Sequence, residues 1–160
     1  METQKKDGVK VVCQNRKASH DYFLEETYEA GLVLTGSEVK SLRLGRANLT
    51  DVFARIKNGE VFLHNMHITP YERADAYTRP DAERTRKLLL NKSEISRLIG
   101  KTREKGFTLI ATRIYFKNGR AKVAIALAKG KKHHDKRETI KQKTVEREMS
   151  RSYRGAKIKA

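Results

Sequence analysis

Over the first 128 residues, apolar and polar positions mostly alternate, the period of a half-buried strand. Ala121, Val123, Ile125 and Leu127 occupy every second position, and a similar run covers residues 110–117. Between the two runs lies Asn118-Gly119, and Asn58-Gly59 likewise separates residues 52–57 from residues 60–68. Asn-Gly suits a type I′ turn, whose two central residues need positive φ and whose twist matches the strands, so two hairpins are predicted. Residues 22–34 and 9–13 read as further extended runs. Five or six antiparallel strands without long helices between them predict a mainly β fold. A small closed or nearly closed barrel would remove their exposed edges.

Two short helices interrupt the alternation. Thr35-Gly36-Ser37-Glu38 has the capping-box pattern, with Val39 and Leu42 behind it. Asn91-Lys92-Ser93-Glu94 offers a second N-cap, followed by Ile95, Leu98 and Ile99 at i, i+3, i+4, a stripe suited to plugging a barrel end. That helix should stop before Gly106. Residues 70–86 are polar and uneven and read as a long surface loop.

Past residue 128 the regime changes. Residues 129–160 hold twelve Lys and Arg against four Asp and Glu, a surplus of eight within a net charge of +17. The chain thus divides into a flexible basic leader (1–8), a folded body (9–128) and a basic tail (129–160). The tail is too charged to pack on the body. Its apolar seam, Val145, Met149 and Tyr153, is too thin to hold an isolated helix in water, so it is expected to be disordered when free.

Charge on this scale points to a polyanionic partner. There is no run of about twenty apolar residues to span a bilayer, and METQKKDGVK lacks the apolar stretch of a secretory signal. The lone Cys13 cannot form an internal disulfide, which fits a reducing cytoplasm, and its apolar neighbours suggest a buried small hydrophobe. Enzyme signatures fail. There is no phosphate-cradling GxxxxGK[ST], and no Cys or His set has zinc spacing. His64 and His67 are expected on opposite faces of one strand. His133-His134-Asp135 is a poor acid–base pair, because adjacent residues on a free tail cannot hold a substrate between them. No cofactor is expected.

Binding remains. Arg16, Lys17, Lys40, Arg43, Arg46, Arg84, Arg86 and Lys87 cluster near strand ends and helix starts, where cations contact phosphates. Glu25-Glu26-Thr27-Tyr28-Glu29 is unusual in so basic a chain. Such a carboxylate either accepts from RNA donors or pairs with a neighbouring strand's Lys or Arg.

Several motifs then occur in order: Asn15-Arg16-Lys17-Ala18, His20-Asp21-Tyr22, Tyr28-Glu29-Ala30-Gly31, Gly36-Ser37-Glu38-Val39-Lys40-Ser41-Leu42-Arg43, Asn48-Leu49-Thr50-Asp51, Arg86-Lys87-Leu88-Leu89-Leu90-Asn91, and the stretch from Ala128 to Arg137. Together they resemble the small protein B family, the bacterial tmRNA-binding proteins of trans-translation. The resemblance implies an oligonucleotide-binding (OB-like) barrel with short flanking helices and no enzymatic activity. It implies binding to the tRNA-like domain of tmRNA and delivery to stalled 70S ribosomes for rescue and peptide tagging, with elongation factor Tu met through tmRNA. Asn15, Glu29, Leu89 and Asn91 match RNA-binding positions. Asp135-Lys136-Arg137 matches a tail motif needed on the ribosome. There the tail is expected to become helical, reaching the 16S rRNA decoding centre and the vacant mRNA channel. His134 would stack on a base, Lys136 and Arg137 would hold phosphates, Lys131 and Lys132 belong to the same decoding-site tail, and Tyr153 would lie on the apolar seam. The free protein is expected to be a monomer. The rival reading is a general RNA chaperone or ribosome-assembly barrel. Two departures from the family pattern stand out: Asp81 is followed by Ala82 rather than Pro, and the tail has no tryptophan.

Overall fold

Both Asn-Gly pairs turn the chain as their chemistry requires. In the computed structural model, which describes residues 8–104 and 106–158, Asn58 and Gly59 have φ of 53° and 73°, and Asn118 and Gly119 have 51° and 74°. The first turn joins β4 (Phe53–Lys57) to β5 (Glu60–His64), and the second joins β8 (Phe107–Lys117) to β9 (Arg120–Gly130). Around them run β1 (Val9–Gln14), α1 (Ala18–Asp21), β2 (Tyr22–Leu32), α2 (Gly36–Arg43), β3 (Ala47–Asn48), β6 (His67–Ile68), β7 (Arg86–Leu89), α3 (Lys92–Thr102) and α4 (His133–Ile158). The leader expected over residues 1–8 lies, apart from Gly8, outside the described residues.

The strand pairings close on themselves in the order β8-β4-β5-β7-β2-β9 and back to β8, all antiparallel, a ring of six strands. β1 joins β8 along Arg113–Lys117, beyond the segment that β4 occupies. Inside the ring, Leu32, Val61, Leu63, Leu88, Ile114, Val123, Ile125 and Leu127 form one core. Each such side chain contributes about 1.5–3 kcal/mol on burial. Leu98 of α3 is fully buried in the same core. Cys13 packs partly against it, and burial pushes its thiol up to about 11.

Three expectations need correction. More strands form than five or six: the run at residues 60–68 is broken where Asn65 adopts φ of 64° and the chain leaves β5 to pair β6 with β3, and Arg86–Leu89, not among the expected runs, enters the ring between β5 and β2. His64 and His67 therefore sit on different strands. The tail, expected to lack a persistent helix, is helical over His133–Ile158. Its first turn has an anchor the sequence did not reveal. The Lys132 backbone N–H donates to Asp135 Oδ2 at 3.2 Å, and the Lys131 N–H donates to Asp21 O at 2.9 Å. Both helix caps behave as expected. Thr35 and Glu38 form a reciprocal box at α2, and the Asn91 N–H donates to Glu94 Oε2 at 3.1 Å at α3.

Candidate nucleic-acid interface

The cations expected to contact phosphate divide into two groups. Arg86 does not belong on the surface. Its side chain is 0% exposed and lies against Glu38, itself 3% exposed. All five guanidinium N–H groups are engaged: Nε and Nη2 with Glu38 Oε1 (3.0 and 2.8 Å), Nη1 with Met66 O and Arg84 O, and Nη2 also with Ala82 O. The other carboxylate oxygen accepts from Arg84 Nη2 at 2.6 Å, while Arg84 Nε reaches Oε1 at 2.9 Å. Burial alone would raise the Glu38 pKa. Hydrogen bonds from Arg84, the Thr35 N–H and Arg86 outweigh it and hold the carboxyl below its ordinary value. The expectation that Arg86 meets RNA is thus corrected, since a fully used, buried guanidinium has nothing left for phosphate. Arg84 is largely consumed by the same carboxylate. The pair ties the end of the long loop to α2.

Lys40 and Arg43, on the exposed side of α2, remain at the surface, with Lys40 Nζ over the Tyr71 ring and the Arg43 guanidinium over Phe116. Lys87 points outward from β7 and meets Glu60 Oε1 at 2.5 Å. Arg16 and Lys17 are exposed between β1 and α1, and the Asn15 side chain donates to Ala111 O at 3.3 Å.

Glu29 and Leu89 come together on one outer face. Leu89 pairs with Gly31 across β2 and β7, Gly31 pairs with Lys122 of β9, and Lys122 with Tyr115 of β8. Directly paired residues point to the same side of an antiparallel sheet, so these four form a row, with Glu29 one step along β2. Leu89 is 56% exposed, and a Cβ placed on Gly31 would lie 3.2 Å from Leu89 Cβ. Glycine there lets the leucine lie flat over the strand. The Glu29 carboxylate accepts from the Tyr115 hydroxyl and from Lys117 Nζ at 3.5 Å, and these hold its pKa below the ordinary value. Burial, reinforced by Glu29, pushes the Tyr115 phenol up to about 12. Glu29 thus has partners within the chain while staying 40% exposed. Asn91 follows two residues after Leu89, exposed at the start of α3.

The tail residues are also divided. Lys131 Nζ reaches Ser19 O (2.9 Å) and Thr139 Oγ1 (3.0 Å) and lies 4.9 Å from the Phe23 ring centre. Lys136 pairs with Asp21 at 3.7 Å, and Asp135 caps α4 and meets His134. Lys132, His134 and Arg137 are exposed, as are Met149 and Tyr153 farther along. The sequence reading missed Asp21, Phe23, Gly31 and Tyr115. For Asp21 and Gly31 the signal was available in His20-Asp21-Tyr22 and Tyr28-Glu29-Ala30-Gly31. For Phe23 and Tyr115 nothing local marks the partner. Among the described residues no group of His, Cys, Asp and Glu could hold a metal, and no helix is long and apolar enough to cross a membrane.

Comparison with known proteins accords with this arrangement. Residues 12–155 match the family model described as SmpB protein. The SsrA-binding protein of Desulforudis audaxviator (strain MP104C) is 63% identical over 146 residues, covering 91% of this chain and 95% of that protein. The SsrA-binding protein of Bacillus subtilis (strain 168) is 56% identical over 149 residues, covering 93% and 95%. A chain from a solved structure described as "tmRNA-SmpB: a journey to the center of the bacterial ribosome" is 52% identical and superposes with a TM-score of 0.64 over 77% of this chain and 85% of its own. Matched by that family model from residue 12 to 155 and by these relatives over nine-tenths of its length, this chain belongs to the SmpB protein family.

Proposed function

We propose that this chain binds the tRNA-like domain of tmRNA and delivers it to stalled ribosomes for trans-translation. The reading is carried by the extent of the likeness: relatives named for binding SsrA match nine-tenths of the chain at more than half identity. The row around Glu29, Leu89 and Asn91 supports it physically. An exposed leucine beside a glycine gives a flat apolar platform for a base or sugar, and the adjacent carboxylate accepts from amino or 2′-hydroxyl groups. Arg16, Lys17, Lys40, Arg43 and Lys87 supply attraction to phosphate, and Asn15 a polar contact beside them. In the ribosome α4 lies toward the 16S rRNA decoding centre and the vacant mRNA channel. There Lys132 and Arg137 meet phosphates, His134 stacks on a base, and Tyr153 extends the apolar seam. Lys131, Asp135 and Lys136 set the direction of the helix from its anchored end. Elongation factor Tu meets the assembly through tmRNA, and the free protein is a monomer.

The test is to sequence the RNA that copurifies with the protein from cells. Strong enrichment of tmRNA is expected. Even recovery of many structured RNAs would instead favour a general RNA chaperone.

A further inference from the structure

Away from the Glu29–Leu89 row, a cleft of about 320 Å³ opens between α1 and the outer side of β4. One wall is a stacked column. The Phe53 ring lies 5.2 Å from His64, centre to centre and 15° from parallel, and the Arg55 guanidinium lies 5.1 Å from the Phe53 ring centre. The facing wall carries Asn15, Lys17 and Tyr22, and buried Val52 and Ile110 floor the space. Asp51 also lines it, held at φ of 58°, the left-handed region that aspartate enters more readily than most residues, while Asn48 Oδ1 clasps Thr50 just before it. The cleft meets β2 only at its first residue, Tyr22, and β8 only at Thr108 and Ile110, seven residues from Glu29 and five from Tyr115 along those strands, so the cleft and the Glu29 row are separate places.

We infer that this cleft receives a single unpaired RNA nucleotide, with guanine favoured. The inference rests on the RNA-binding reading above. A guanidinium-capped aromatic column is a surface on which an unpaired base stacks. Lys17 and Arg55 sit where a phosphate on either side of that base is neutralised. Asp21 also lines the cleft, but its Oδ1 is held by His20 at 2.8 Å and by Lys136 at 3.7 Å, which turns it toward α4. Asp51, exposed beside the aromatic column, is the carboxylate that reads the base. A carboxylate accepts two parallel N–H bonds from the Watson–Crick edge of guanine, and uracil offers no such pair. The source of the nucleotide is either tmRNA or ribosomal RNA, since the chemistry is the same.

The test uses the full-length protein and two fluorescein-labelled oligonucleotides of about eight residues, an all-uridine strand and the same strand with one central guanosine. Anisotropy titration is expected to show the guanosine strand binding more tightly by about tenfold. Asp51→Asn should abolish that preference, although loss of a negative charge alone would strengthen binding to both strands. Arg55→Ala, at an exposed position that leaves the core intact, should weaken both strands by about tenfold. Phe53→Leu should do the same and keeps the site apolar. Equal affinity of the native protein for the two strands, or an Asp51→Asn protein that keeps the preference, would overturn the inference. The same variants are then titrated with the tRNA-like domain and with 70S ribosomes. Weakening toward one of them identifies the source, and weakening toward neither overturns the inference. If the native protein fails to bind the tRNA-like domain, the function proposed above falls, while the two oligonucleotides still decide the cleft.

Discussion

Glu29 shows how far a single residue was legible. A carboxylate among so many cations leaves two readings open, pairing within the fold or accepting from RNA, and the structure gives it Tyr115 and Lys117 without burying it. The outcome depends on β8, which lies about ninety residues away in sequence (|i−j| = 86 for Tyr115). No local pattern could supply that. Glu29→Ala is expected to weaken binding to the tRNA-like domain by about 1–3 kcal/mol, against the direction of simple charge attraction. Tyr115→Phe, which keeps the carboxylate and removes only its internal donor, should bind at least as well as the native protein. Titrating both variants checks this, with thermal unfolding to confirm that they fold. Arg86 illustrates the opposite limit. Its neighbours Arg84 and Lys87 made it look like one surface cation among several, yet it is spent on Glu38 and three backbone carbonyls. Because Glu38 titrates below its ordinary value in the fold, its share of stability is complete above about pH 4.5 and is lost as pH falls through the depressed folded value. Glu38→Gln should therefore be less stable near neutrality and should flatten the acid limb of the stability curve, read by urea unfolding at a series of pH values.

At the scale of elements, period and turn chemistry carried most of the fold. The two hairpins, both capped helices and the stripe of Ile95 and Leu98 follow from Asn-Gly, Thr35-Glu38 and Asn91-Glu94. Strand β7, paired between β5 and β2, followed from no local pattern, and two further things did not follow. The strand at residues 60–68 alternates well enough to look continuous, and only the left-handed turn at Asn65 redirects it, a choice enforced when Met66 buries its side chain and offers its carbonyl to Arg86. The tail's composition argues against a free-standing helix, and its anchor comes from α1, an element of four residues too short to announce itself. Beyond that anchor α4 adds no residue to the barrel core, which makes it separable. A protein ending at Lys132 keeps every strand and the helices α1 to α3, so its unfolding temperature should barely move and its affinity for the tRNA-like domain should survive. Peptide tagging in a reconstituted stalled-ribosome reaction should fail. Normal tagging by the shortened protein would reduce the tail to a store of charge.

For the whole molecule, the net charge of +17 makes RNA affinity an ionic-strength property. The logarithm of the binding constant should fall linearly with the logarithm of salt concentration, with a slope of roughly −0.7 to −0.9 for each of about four to eight phosphates contacted. A slope near zero in titrations across salt would remove the electrostatic account. The ring of strands has a consequence of another kind, for the order of synthesis. β9 supplies partners to both β2 and β8, so neither seam can form until Gly130 has left the ribosome that makes the chain. Until then both strands present raw edges, the surfaces most prone to pair with a wrong chain. About thirty residues made after Gly130 reach roughly 100 Å when extended, so β9 is expected to clear the exit once synthesis has run about that far. Nascent chains halted just after Gly130 should be cut readily by protease within β2 and β8, and chains halted about thirty residues later should resist. The segment read as an address for someone else's stalled ribosome would then also be what lets this protein fold before leaving its own.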